Sequence, residues 1–278
     1  MNLVGTKQQK DYGRLSKLFF NKYYTKPIEM LYERLKKILY FVFPKKSIKK
    51  YKKQIRKLFF PFFKGSKHAC TICQKNFSRF IMINYQDDKL CPYCGSISRD
   101  RRLFLLIQEE IYLNKDRKPV ILDFSPSDSI FDKLSKDNRI EYYASDLSGN
   151  FNADYHYDLT NVNCEDNKFD FIICFHILEH IVEDKKAISE LYRIIKPNGI
   201  IFIQTPFKDG DIYEDYTIVS PQERLMHFGQ EDHVRVYSVQ TLAERLASSG
   251  FKLDIKKFKD GNDFNGLREN EIIILASK

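Results

Sequence analysis

From Pro119 onward, short apolar runs alternate with amphipathic helical stretches, and this alternation limits the fold more than any other feature of the chain. "PVILDF", "IEYYASDL", "DYHYDL", "FDFIICF" and "GIIFIQTP" read as five strands. Between the fourth and fifth, Ala187, Ile188, Leu191, Ile194 and Ile195 make a helix face that stops at "KPNG", where Pro197 and Gly199 break it. Val239, Leu242, Ala243, Leu246 and Ala247 make another, ending at Gly250, and "FKLDIKKF" and "EIIILAS" follow as two strands joined by a polar loop. Such alternation predicts a mostly parallel sheet with helices on both faces, and the closing pair predicts an antiparallel edge. The expected fold is therefore α/β, a Rossmann-like sheet of seven strands with the last antiparallel.

Ahead of this region stand two cysteine pairs, Cys70-x-x-Cys73 and Cys91-x-x-Cys94, with 17 residues between them. Four thiolates at this spacing can close tetrahedrally on Zn²⁺, and "CPYCGS" has the tight-turn form that brings backbone amides to thiolate sulfurs. A redox dithiol needs a strand-then-helix setting that neither pair has. Cys164 and Cys174 read as plain buried thiols, and with so few cysteines left over the expected compartment is reducing and cytoplasmic. The "SRDRR" run after the second pair opens a helix over Ser98–Asn114, and its Arg99, Arg101 and Arg102 read as a solvated or ribbon-packing face. The predicted organisation is an arm over 1–67, a zinc ribbon over 68–98, a linker helix over 99–118 and the sheet domain over 119–278.

The chain is 43% hydrophobic and 30% charged, which excludes wholesale disorder. Its net charge of +9 is unevenly placed: residues 1–67 hold 19 of the 46 basic residues and three of the 37 acidic ones. The arm reads as two amphipathic helices, with stripes Leu31, Leu35, Ile38, Leu39, Val42 and Ile48, Tyr51, Ile55, Leu58, Phe59. A basic amphipathic arm packs on its own globule, lies on an anionic membrane through residues 28–63 at the inner face, or binds nucleic acid, and the sequence leaves all three open. The longest apolar run in the arm, Ile38–Phe43, is far too short to span a bilayer, and no secretory signal is expected.

In open sheets of this kind ligands bind beyond the carboxyl ends of the strands. The first strand ends at Asp123 and the second, 23 residues later, at Asp146, the distance at which an acid reaches both hydroxyls of a ribose. The first turn, Phe124-Ser125-Pro126-Ser127-Asp128, carries no glycine to press against a pyrophosphate, which argues against NAD or FAD.

The series "VILDFSP", "YYASDL", "YDLT", "FDFIICFHILEHI", "ELYRIIKPNGIIFIQTP" and "GQEDHVRVYS" resembles the class I S-adenosylmethionine-dependent methyltransferases, with a type 11-like domain over about 119–278 and an N-terminal zinc ribbon. The resemblance implies a methyltransferase using S-adenosylmethionine beside a structural Zn²⁺, the turn at Asp123, Phe124 and Ser125 departing from the family's glycine-rich loop. By it Asp146 holds the ribose and Leu147 packs on the adenine. Asp158 and Leu159 read the adenine edge, and Phe175 and His176 line the methionine and sulfonium.

"HILEH" also matches H-x-x-E-H, but a zinc-hydrolase site needs both imidazoles on one helix, whereas His176 follows a strand. Glu179 and His180 are expected to border the substrate or to make structural hydrogen bonds. The long polar segment from Pro206 to Tyr237 is expected to be an acceptor lid. In it His233 is the candidate base, Asp232 or Glu214 its orienter and Arg235 a grip on an anionic acceptor, unless "DHVR" only locks the lid. Three functions compete: a methyltransferase acting at oxygen or nitrogen of a small-molecule or glycan-type acceptor, a zinc-ribbon RNA methyltransferase, and a silent cofactor-binding module.

Overall fold

The computed structural model describes residues 45–83, 88–111 and 117–278, with side chains from residue 51 on. The chain divides into two compact units, Met1–Lys64 and Gly65–Lys278. In the first, α1 (Lys45–Phe59) and a 3-10 turn over Phe60–Phe63 form where the second basic stripe predicts a helix, with Tyr51, Leu58 and Phe62 exposed. The predicted first helix of the arm lies outside the described residues. Among the described residues no helix is long and apolar enough to cross a membrane.

The second unit opens with two antiparallel hairpins, β1 (His68–Ala69) with β2 (Asn76–Phe77) and β3 (Ile81–Ile83) with β4 (Asp88–Leu90), followed by α2 (Ser98–Ile111). Then come β5 (Val120–Phe124), α3 (Asp128–Leu134), β6 (Glu141–Ser145), β7 (Phe169–Phe175), α4 (Asp184–Ile194) and β8 (Ile195–Gln204). After them the chain forms β9 (Tyr213–Glu214), α5 (Pro221–Phe228), β10 (Arg235–Val236), α6 (Val239–Ser248), β11 (Lys252–Phe258) and β12 (Glu271–Ser277). The main sheet has the order β11-β12-β8-β7-β5-β6. Strands β5 to β8 are parallel and β12 is antiparallel to both neighbours, the doubly covered sheet with an antiparallel edge that the alternation predicts.

Strand β7 is apolar almost throughout because both its faces are covered. Its one charged residue, Asp170, is buried at the strand's start and accepts from the Val120 amide at 2.8 Å, from Lys196 Nζ at 2.8 Å and from Arg117. Paired on three sides, the carboxylate fixes the lower rim of three strands without an orphaned charge.

Two expectations change. The third of the seven strands, predicted at "DYHYDL", is reduced to one parallel bridge between Ser145 and Tyr155. Its ladder stops there because the Tyr157 amide donates to the Ser145 hydroxyl, at 2.9 Å, instead of to a strand carbonyl. The helix does end ahead of "KPNG", but the strand expected to begin at Gly199 already begins at Ile195, and "KPNG" bulges inside β8: Ile195 pairs with Phe169, and Ile200 with Phe171. A side chain at Gly199 would put its Cβ 2.9 Å from the Asp170 carbonyl oxygen, so the bulge closes only with glycine there.

Candidate active site and metal centre

Beyond the carboxyl ends of β5 to β8 opens a cleft of about 1240 Å³, lined by the turns after each strand and by the start of α2. Turn geometry puts the polar groups there. Ser125 has a left-handed φ of 51°, the position a glycine would take, and Ser127 caps α3 by accepting from the Ile130 amide. The Ser125 hydroxyl donates to Asp146 at 2.8 Å and its amide to the Ser145 carbonyl at 2.7 Å, so side-chain and backbone bonds hold a conformation that costs a non-glycine residue about 1 kcal/mol or more.

Asp146 is the hub of this wall. Besides Ser125 it accepts from the Ser148 hydroxyl at 3.0 Å and from the amides of Asn150 and Phe151 at 2.8 and 3.1 Å. Burial pushes its pKa up, but these bonds, the Phe151 amide foremost, hold it below the usual carboxylate range. Leu147 stands 64% exposed at the rim and Leu159 belongs to the core, both bordering the cleft. Asp158 is exposed and accepts from the Thr160 amide and hydroxyl, which lower its pKa. Phe175 and His176 follow at the end of β7, His176 at a left-handed φ of 57° with its amide donating to the Gln204 carbonyl.

Asp123 behaves unlike Asp146. It is buried at the end of β5, accepts from the Tyr142 hydroxyl at 2.8 Å, and burial pushes its pKa up to about 8. A folded-state pKa above the unfolded one favours folding below the unfolded value, and that advantage is lost as pH rises from about 4 to about 8. Asp123→Asn is therefore expected to flatten the loss of stability across this window, where the carboxyl alone contributes a slope of about 1.4 kcal/mol per pH. Denaturant titrations at pH 5, 7 and 8.5 check this, and parallel profiles for the two chains would refute it.

Several cleft residues escape the sequence reading. Asp100, buried in the first turn of α2, accepts from the Ser129 hydroxyl and the Ile97 amide, with exposed Arg99 beside it at the cleft. Gln204 and Thr205, at the end of β8, each keep a buried side-chain oxygen without a hydrogen-bond partner. The only signal for Arg99 and Asp100 was the "SRDRR" run; of its other two arginines, Arg101 does pack against the ribbon, donating to the Lys89 carbonyl, whereas Arg102 turns to Glu271 and the Arg268 carbonyl.

The acceptor side differs most from expectation. Arg235 is fully buried, and its guanidinium donates to the carbonyls of Leu178, Ile181 and Val182 and to Glu214. It is not free to grip an anionic acceptor, because its donors are spent on the HILEH segment and on β9. Glu214 pairs with Arg235 and Arg245, not with His233, and Asp232 lies 3.3 Å from His180 Nδ1. The Val234 amide donates to the Glu179 carbonyl, so "DHVR" does lock the lid onto "HILEH", and the same lock carries His233 to His180, ring centroids 4.6 Å apart. Burial lowers the His233 pKa, leaving the imidazole neutral at pH 7.

The four cysteines converge as their spacing predicts. All four sulfurs lie within 4.8 Å of one another, Cys70 to Cys94 at 3.6 Å and Cys73 to Cys91 at 3.7 Å. Tetrahedral thiolates around Zn²⁺ at Zn–S of about 2.3 Å stand about 3.8 Å apart, so the donor set fits that ion. The two knuckles match: Gln74 and Gly95, each next after its second cysteine, take left-handed φ of 58° and 81° and return their amides to the carbonyls of Cys70 and Cys91. Four thiolates held this close together would need a cation to share the site. Cys174 is a buried thiol as expected, pushed up by burial, while Cys164 is half-buried.

A family model described as a methyltransferase domain matches residues 97–255. Among curated proteins, a ubiquinone biosynthesis O-methyltransferase of Coxiella burnetii is 28% identical over 103 residues, covering 34% of this chain and 44% of that protein. One of Pasteurella multocida is 44% identical over 41 residues, 15% of this chain and 17% of that one. The chain thus spans less than half the length of these relatives. Among solved structures, a SAM-dependent methyltransferase from Archaeoglobus fulgidus aligns with a TM-score of 0.45 at 18% identity, over 64% of this chain and 93% of that one.

Proposed function

Since the chain belongs to the S-adenosylmethionine-dependent methyltransferases, we propose that it moves the methyl group to a hydroxyl of a small-molecule acceptor held between the β7 turn and the lid. The observation that carries this reading is the cleft itself, with an ionised carboxylate at the end of β6 on one wall and the His180–His233 pair on the other. The name of the Coxiella burnetii relative supports oxygen over nitrogen as the atom methylated.

S-adenosylmethionine, when bound, supplies a methyl carbon already activated on a sulfonium. The protein's task is orientation, and an acceptor oxygen brought in line with the C–S bond gains several kcal/mol from positioning alone. Asp146 would hold the ribose, with Leu147 and Leu159 on the adenine side. Asp158 offers its outer oxygen to the adenine edge. Phe124, Phe175 and His176 would line the methionine and sulfonium end, while Asp123, Gln204 and Thr205 close the floor. His180 and His233 face the acceptor, whose hydroxyl must lose its proton.

Asp146→Ala is expected to weaken S-adenosylhomocysteine binding about 100-fold or more, since hydrogen bonds to a charged group are worth about 1.5–3 kcal/mol each. Titration calorimetry on the full chain reads this, with Asp158→Ala as a milder companion. Equal affinities in wild type and Asp146→Ala would remove the ribose assignment.

A further inference from the structure

Behind the two imidazoles that line the cleft, Glu179 is 1% exposed, and neither of its carboxylate oxygens receives a hydrogen bond of good geometry. The nearest donor is His176 Nδ1, 3.3 Å from one of them. An ionised carboxylate buried without hydrogen bonds costs several kcal/mol unless a cation meets it. Beside it, His233 is 3% exposed and keeps Nε2 buried without a partner, while its Nδ1 faces the Phe228 carbonyl at 3.3 Å. The third neighbour is His180, whose Nδ1 faces Asp232. One donor atom from each of Glu179, His180 and His233 lies within 4.8 Å of the others.

We propose that Glu179, His180 and His233 form a second metal site, for a first-row transition dication, on the acceptor wall of the cleft. Three features of the geometry carry this. The donor set of two imidazoles and one carboxylate suits zinc, iron or manganese and leaves coordination positions open, unlike the closed thiolate cage of the ribbon. Both imidazoles have their Nδ1 engaged, one by a backbone carbonyl and one by a carboxylate, the arrangement that orients a ligating histidine and raises its basicity. The cation would also supply the charge that the orphaned Glu179 lacks.

The ligands come from two chain segments, and the H-x-x-E-H spacing misleads: the partner of His180 is His233 of the lid, while His176 sits in front of Glu179. A site that joins lid to sheet is complete only when the lid is down. Its use rests on the function proposed above: a dication facing the cleft lowers the pKa of an oxygen ligand and so selects acceptors carrying a hydroxyl.

The test counts zinc in the full-length chain after dialysis against excess Zn²⁺ and then against metal-free buffer. Wild type is expected to retain one zinc more than Glu179→Gln or His180→Ala, and His176→Ala is expected to match wild type. Because the result is a difference, it does not depend on the ribbon. His180 is half-exposed, so its variant guards against a fold lost at buried Glu179. Equal counts in wild type and His180→Ala, or loss of the same zinc in His176→Ala, overturn the site. Calorimetry with S-adenosylhomocysteine on the same samples separates the two proposals: cofactor binding with equal zinc counts ends the metal site alone, and a zinc difference without cofactor binding ends the cofactor assignment alone.

Discussion

Cys91→Ser is expected to cost the chain one zinc and to unfold the ribbon from Gly65 to Ser96, with hydrogen exchange protection lost across both hairpins. The expected effect is large because the hairpins have little else to hold them: β1, β2, β3 and β4 are two or three residues each, and a two-stranded hairpin is marginal in water. Structural zinc in comparable small modules contributes about 10–16 kcal/mol of apparent binding energy, which here would be folding energy. The loss should spread. Arg101, fully buried, donates to the carbonyls of Ser96, Lys89 and Gly266, stacks on Phe80, and loses two of its three carbonyl partners with the ribbon. Exchange measured by mass spectrometry on the full chain decides the point, and hairpins that stay protected in Cys91→Ser would show that the metal is not what folds them.

Arg235→Ala is expected to lower stability by about 3–5 kcal/mol, the cost of removing one member of a buried ionic network. Glu214 and Asp184 would keep Arg245 as their one cation beside the hydroxyls of Tyr216 and Tyr237, and the carbonyls of Leu178, Ile181 and Val182 would lose the guanidinium. For a domain of this size the melting temperature should fall by about 10 °C, at about 2–4 °C per kcal/mol. Thermal and urea denaturation check the figure. The same experiment tests the role assigned to Arg235: a residue that gripped an acceptor would change KM and leave the denaturation midpoint where it was.

The sheet was legible because its signal is periodic and local. Apolar runs such as "FDFIICF" can be covered on both faces only at the centre of a parallel sheet, and β7 occupies the segment from Phe169 to Phe175 that the pattern marks. The cysteine cluster was legible because thiolate spacing maps directly onto tetrahedral geometry. Charged residues were read least well. Arg101, read as solvated or ribbon-packing, and Arg235, read as an acceptor grip or part of a lid lock, are both fully buried, each held by carbonyls from segments distant in sequence. The pairing of His233 with "HILEH" was hidden for the same reason, since 52 residues and a lid separate His233 from His180. The third strand failed differently: its alternation is real, but one serine hydroxyl captured the amide that would have extended the ladder.

The seating of Arg101 sets an order of assembly. Its partners Lys89 and Ser96 leave the ribosome almost with it, whereas Gly266 and the neighbours that clasp the ribbon, Asp263 on His68 and Phe264 on Ala69, are made some 165 residues later. Until then the guanidinium lacks its third carbonyl and the ribbon its outer wall, so a nascent chain exposes a cysteine module whose final cover comes from the hairpin between β11 and β12. Translation thus closes the molecule from its far end, and loss of the loop around Gly266 would leave the earliest-made part of this domain the least protected.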